Sequence, residues 1–450
     1  MAASILDSAL YHDLFDAGPA ARLFTDSAEL RAMLLVEGAL AEAQGQIGLI
    51  PETAAAYIHR AAREVQIDPT ALAPATGRNG VSVPALVAAF RKEMNAPEHA
   101  QYLHWGATSQ DIIDTALALR LRQFLALMAA DLDATLAALG PLARAHATLP
   151  MPARTYGQHA TVTSFGAVIA SWGRPLIALA AEVGHLRAAL RVSLSGAAGT
   201  SAALGPQAQE IRARMAAALG LAAPAHSWHA ERNEVQALAA WATRLATSLG
   251  RMGEDVILLA QSGIDEIMLE GAGASSTMPQ KQNPVGASVM VALARHAVAM
   301  NGLVQGAGLH RQQRDGTAWF AEWLGLPPLL LGTAAALGHA SRTARATRPR
   351  PVQMAQALAS GLGLIHAEAL TFRLCQTLPR PEAQAAVKSL CQRAMDEQQP
   401  LAALAAEHWP ELDLAEVFDP QKQMGLAPQE ARDFADQVAA RLGNADSPEA

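Results

Sequence analysis

The sequence predicts an all-α protein, three helical domains with a central long-helix bundle, and three observations carry that expectation. Of 450 residues, 51% are apolar but only 4% aromatic, so the core must be built from alanine, leucine and valine, a composition that suits helix bundles. Segments near residues 112–146, 162–192, 231–264, 285–307 and 319–346 are each rich in Ala and Leu at helical spacing. The length of 450 residues exceeds what one hydrophobic core organises, so two or three domains are expected.

Taken in order, residues 1–113 read as shorter helices separated by turn signals. Leu30, Met33, Leu34, Glu37, Leu40 and Ala41 share one helical face, and Ile50-Pro51 stops that element. Residues 114–350 hold the long helices, with Gly140-Pro141 and Pro327-Pro328 as expected kinks or ends. A helix of roughly 30 residues spans roughly 45 Å, and five of them have more apolar face than one chain covers. Arg348-Pro349-Arg350-Pro351 reads as a linker into a smaller helical section, 351–450, whose tail from Gly443 to Ala450 is small, polar and expected to be disordered.

A formal net charge of −7 and a pI near 6.1 argue against a nucleic-acid surface, leaving room for a locally basic pocket that takes a small anion. Cys375 and Cys391, the only cysteines, match neither a disulfide framework nor a metal pattern, so no metal or other cofactor is expected. The N-terminus lacks a basic region followed by an apolar core, which points to the cytoplasm. The uncharged runs Thr155–Trp172 and Trp323–Ala340 carry Gln, His, Ser and Thr or internal prolines and lack interfacial anchors. They fit bundle helices buried between subunits better than membrane spans.

The most informative stretch is Gly273-Ala274-Ser275-Ser276-Thr277-Met278-Pro279-Gln280-Lys281-Gln282-Asn283-Pro284. It reads as a mobile catalytic loop: Gly and Ala free the backbone, Pro279 punctuates it, and Pro284 suits the first turn of a following helix. Ser275 and Ser276 can exchange a proton, Lys281 can hold a carboxylate, and Asn283 can donate to developing negative charge. Two further strings stand out, His104-Trp105-Gly106-Ala107-Thr108-Ser109-Gln110-Asp111-Ile112-Ile113-Asp114-Thr115 and Arg154-Thr155-Tyr156-Gly157-Gln158-His159-Ala160-Thr161-Val162-Thr163. In this order the three resemble the signature regions of the fumarase/aspartase superfamily, whose loop pattern is Gly-Ser-Ser-x-Met-Pro-x-Lys-x-Asn-Pro; Ala274 is a mild departure.

The resemblance implies three helical domains and a homotetramer whose active sites draw the three regions from different subunits. It also implies proton transfer at the carbon beside a carboxylate, coupled to addition or loss of a group at the next carbon. Matched residue by residue, Ser275 takes the catalytic serine's place and Lys281 and Asn283 those of substrate-binding groups, with Ser276 beside them. His104, Thr108 and Ser109 match positions that hold substrate carboxylates. Arg314 matches an arginine near the site and is suited to clamp a carboxylate, an ion pair with Asp315 being the plain structural alternative.

Departures indicate the subtype. Tyr156 stands where many members have histidine, and by spacing Ser288 stands where a glutamate orients it. A departing amine or hydroxide needs a general acid, worth ~10²–10⁴ in rate. A carboxylate, with a pKa near about 4, needs none. The missing pair therefore points to lactonisation, and the chain resembles the branch that lactonises 3-carboxy-cis,cis-muconate to 4-carboxymuconolactone, in the β-ketoadipate route of protocatechuate breakdown. His159, three residues on, is a candidate pocket residue that need not occupy the same space, and Tyr156 shapes the pocket or offers a neutral donor. The alternatives are adenylosuccinate lyase, against which Asn79 and Tyr156 both count, another β-elimination lyase of the superfamily, and a non-catalytic structural relative.

Overall fold

A computed structural model describes residues 4–271, 273–274, 278 and 281–445. In chain order the helices of the first part are α1 (Asp26–Gln46), α2 (Glu52–Glu64), α3 (Pro69–Asn79), α4 (Val83–Met94) and the short α5 (Pro97–Ala100). The long helix α6 (Ser109–Ala145) leads to a hairpin of β1 (Pro150–Thr155) and β2 (Gln158–Ser164), then α7 (Phe165–Ala189), α8 (Ala208–Leu219) and α9 (Asn233–Leu259). Short strands β3 (Ile267–Leu269), β4 (Gly273–Ala274) and β5 (Gln282–Asn283) precede α10 (Val285–Gly306) and α11 (Gly316–Ala346). The last part holds β6 (Thr347–Pro349), α12 (Pro351–Ala359), α13 (Ala367–Leu374), α14 (Arg380–Glu397), α15 (Leu401–His408) and α16 (Ala427–Ala445). The expected helical architecture is present.

The chain divides into two compact units, one of Met1–Asp131, Leu179–Thr247 and Ala292–Gly338, the other of Leu132–Ala178, Ser248–Val291 and His339–Ala450. The first unit's core joins α1 to α4, the start of α6 and α8 through residues such as Met33, Leu40, Ile58, Phe90, Ile112 and Met215. Helices α1 and α2 pack closely because a side chain at Gly38 would meet the Ala62 Cβ at 2.8 Å. Arg232, buried ahead of α9, donates to Asp114 of α6 and Glu322 of α11. Burial pushes the Glu322 carboxyl above its ordinary range, and Arg232 offsets only part of that. In the second unit, one core gathers Leu370, Leu374, Val387, Leu390, Leu401 and Leu404 from α13 to α15.

The chain's path departs from expectation at one uncharged run and at the C-terminus. The run Thr155–Trp172 is not one helix: its first part lies in the β1–β2 hairpin, and α7 begins at Phe165. Pro150 and Pro152 cannot donate within a helix, and the β-branched Thr161, Val162 and Thr163 suit a pleated strand. Of the two outcomes expected at Gly140-Pro141 and Pro327-Pro328, a kink or an end, the end is ruled out, since α6 and α11 run through them. At the C-terminus α16 includes Gly443–Ala445, so the expected disordered tail starts no earlier than residue 446, outside the described residues. Among the described residues, four helices, α6, α7, α10 and α11, are by length and composition long and apolar enough to cross a membrane.

Candidate active site

In the first unit, the stretch ahead of α6 is bound down from several sides. His104 adopts φ +64° and Gly106 φ +73°, which bends the chain sharply before the helix. Nδ1 of His104 lies 2.7 Å from Oε1 of Glu37, a buried carboxylate of α1, and the Gln44 side chain donates to the Trp105 carbonyl at 2.7 Å. Burial drives the His104 ring toward the neutral form, but the charge and hydrogen bond of Glu37 outweigh it and raise the imidazolium pKa above its ordinary value.

Asp111 organises the entry to α6. Fully buried near the start of that helix, its Oδ1 accepts from Ser195 N (2.8 Å), Ser193 Oγ (3.1 Å) and His229 Nε2 (2.7 Å), and its Oδ2 from Gly196 N (2.9 Å) and Thr108 N (3.0 Å). The Thr108 bond is the return half of a capping box, with Thr108 just before the helix and Asp111 in its first turn. Burial by itself would raise the Asp111 pKa, but the bond and charge of His229 and the two backbone amides of Thr108 and Ser195 hold it below the ordinary carboxylate range. Asp111 thereby fixes Thr108 and Ser109 beside the 193–196 segment. Arg314 donates to Thr108 Oγ1 at 2.8 Å, while Asp315 instead takes Arg311, so the simple Arg314–Asp315 pair is absent among the described residues. His104, Thr108, Ser109 and Arg314 thus belong to one unit, with Thr108 and Arg314 in direct contact.

The second unit carries the other candidates. Tyr156 and Gly157 form the two-residue turn of the β1–β2 hairpin with φ +52° and +74°, both in the left-handed region that a tight hairpin of this twist demands. A tyrosine there costs about 1 kcal/mol or more, and its side chain is fully exposed at the tip. His159 faces Arg154 across the ladder. Partial burial lowers its pKa and the Arg154 charge lowers it further, against a weaker pull from Glu266. Arg154 itself grips the buried Glu266 through two bonds of 2.8 and 2.7 Å, anchoring the hairpin close to its turn.

The loop between β4 and β5 is pinned at both ends, with Gly273 opposite Asn283 and Ala274 opposite Gln282, and α10 starts directly after Pro284 as its proline signals. Lys281 and Asn283 line a cavity of about 760 Å³ together with Asp265 and Arg350, which form an ion pair. Ser275 and Ser276, the expected proton donor and its neighbour, lie outside the described residues, as do Thr277, Pro279 and Gln280 of the expected mobile segment. Ser288 donates to the Pro284 carbonyl of its own first turn.

Sequence reasoning misses Glu37, His229 and Arg350. A carboxylate in the apolar stripe of α1 is a usable signal for Glu37, because a buried charge needs a partner. Arg350 reads only as linker, and nothing in the string around His229 marks it.

The family model described as Lyase matches residues 16–299. The chain belongs to this family. Among relatives, it is 36% identical over 430 residues to a 3-carboxy-cis,cis-muconate cycloisomerase of Pseudomonas aeruginosa, covering 93% of this chain and 94% of that one. It is 34% identical over 449 residues to nitrosuccinate lyase of Streptomyces davaonensis, covering 95% and 94%. The crystal structure of the 3-carboxy-cis,cis-muconate lactonizing enzyme of Pseudomonas putida superposes with a TM-score of 0.90 at 33% identity, over 96% of this chain and 99% of that one. The matched residues 16–299 include all three signature segments.

Proposed function

We propose that the protein is a 3-carboxy-cis,cis-muconate cycloisomerase. The observation that carries this is its similarity, along nearly the whole chain, to several proteins of that name. The chemistry of its own residues agrees. Tyr156 and Ser288 replace an acid–base pair that only a strongly basic leaving group requires. In the forward direction a substrate carboxylate oxygen bonds to the conjugated double bond, and the electron pair moves toward a second carboxylate. Ser275 then delivers a proton to the carbon beside it. Lys281 and Asn283 hold the enolate-like charge, while His104, as imidazolium, Thr108, Ser109 and Arg314 bind the remaining carboxylates, with Tyr156, His159 and Ser276 lining the pocket. No electrons leave the substrate, so the step calls for no cofactor.

The active assembly is a homotetramer with sites shared between subunits, residues 114–350 supplying the bundle between the flanking parts 1–113 and 351–450. Exposed apolar side chains on the long helices, among them Leu258, Val298, Phe320 and Leu324, supply the surface for it. Buried charged networks at Asp111 and Arg232 within and beside α6 favour such a bundle over a membrane span. The protein works in the cytoplasm on a small polycarboxylate of aromatic breakdown, not on nucleic acid.

One observation favours a second reading. Nitrosuccinate lyase is nearly as similar, and nitrite, like a carboxylate, leaves without a strong acid. An ultraviolet assay of the purified protein beside 3-carboxy-cis,cis-muconate, nitrosuccinate and adenylosuccinate separates the three. Loss of the muconate diene absorbance is expected. Turnover of nitrosuccinate alone would replace the proposal.

A further inference from the structure

From the arginines gathered in one cavity of the first unit, we infer a second anion site, distinct from the candidate active-site residues, that takes a small organic carboxylate with an apolar body. The cavity has a volume of about 420 Å³, within the usual range for small-molecule sites. Arg31 of α1, Arg63 of α2, and Arg120 and Arg122 of α6 all line it. The carboxylate in its wall, Glu42, is already engaged by His59 Nδ1 at 2.8 Å. In a chain of net charge −7, that is a strong local excess of positive charge.

Arg120 is the most buried of the four. It is 7% exposed, its Nε has no acceptor among the described residues, its contact to the Glu29 carboxylate is long at 3.4 Å, and its guanidinium otherwise lies over the Phe24 ring. A buried guanidinium so sparsely bonded is destabilising until an anion completes it. Arg122 is held rigidly, donating to the carbonyls of Leu219 and Gly220, so its charge faces the cavity at no further ordering cost. Leu35, Ala39 and Leu119 form the apolar part of the wall, which a bare inorganic ion leaves unused. The larger hollow of about 940 Å³ beside Arg373 is different: Glu368, Asp413 and Glu416 share its wall and disfavour an anion.

The test is isothermal titration of the full-length protein with benzoate and, separately, with inorganic phosphate. Wild type should bind one benzoate per chain, and phosphate at least about tenfold more weakly because it buries no apolar surface. Arg31→Ala/Arg63→Ala should bind benzoate at least about tenfold more weakly while keeping muconate turnover, since charge-assisted bonds are lost only here. Arg63→Glu, a change at an exposed position, should show the same loss if the double variant folds poorly. Absence of benzoate binding to wild type overturns the inference. So does unchanged affinity in the variants, which would place the ligand elsewhere, or phosphate binding as tightly as benzoate.

Discussion

Replacing Asp111 by Asn tests the scaffold on which the first unit's candidates rest. The Asp111 carboxylate accepts five bonds in full burial, three at Oδ1 and two at Oδ2. An Asn amide nitrogen in place of Oδ2 would face the Thr108 and Gly196 N–H groups, leaving the half-buried Thr108 and buried Gly196 donors unpaired at about 1–3 kcal/mol each. The remaining bonds also lose their charge assistance, so the total is about 3–6 kcal/mol, a large part of the roughly 5–15 kcal/mol that holds a typical domain. Urea unfolding followed by circular dichroism, at fixed protein concentration, should show a strongly lowered midpoint. The exposed Asp433→Asn should change stability by less than about 0.5 kcal/mol. The folded pKa of Asp111 lies below its unfolded value, so its contribution is present above that value and is lost as pH falls through the folded pKa. The gap between wild type and Asp111→Asn should therefore close in acid, below about pH 4. A cost within about 1 kcal/mol at neutral pH would refute the view of Asp111 as the centre of this network.

Ser275→Ala and Lys281→Met should each lower turnover at least ~10²-fold without disturbing assembly, checked by steady-state kinetics and sizing, whereas Ser276→Ala should do less. Tyr156→Phe should cost no more than about tenfold, about 1.4 kcal/mol in the barrier, and Tyr156→His with Ser288→Glu should add little; a folded but inactive Tyr156→Phe would make Tyr156 the proton donor. For His104 the folded pKa is raised, so the ion pair's contribution is full below about pH 6.5 and lost as pH rises through the folded value. Glu37→Gln removes the partner that raises it and should move the alkaline limb of kcat/KM to lower pH; an unmoved limb would contradict a charged His104 at the substrate.

Ala and Leu periodicity locates the long helices because burial along one face is a local pattern, legible in the sequence residue by residue. The hairpin escapes such a reading because Thr155–Trp172 has the composition of a buried helix, and the prolines at 150 and 152, the Tyr156-Gly157 turn and the short β-branched run Thr161–Thr163 are what separate the two states. The signature strings name Thr108, Lys281 and Asn283, but not what holds them. Glu37 lies 67 positions from His104 and His229 118 from Asp111, and such pairings are decided by tertiary packing that no window of sequence contains. Arg314 shows the same limit: its neighbour Asp315 is the obvious partner by position, yet Thr108 takes it.

The most direct test is to convert 3-carboxy-cis,cis-muconate in deuterium oxide and identify the product by nuclear magnetic resonance. Intramolecular addition predicts 4-carboxymuconolactone with a single solvent-derived deuterium on the carbon beside a carboxylate, formed by wild type and suppressed in Ser275→Ala. Unchanged muconate beside wild type that eliminates nitrite from nitrosuccinate, or cleaves adenylosuccinate, would contradict the account.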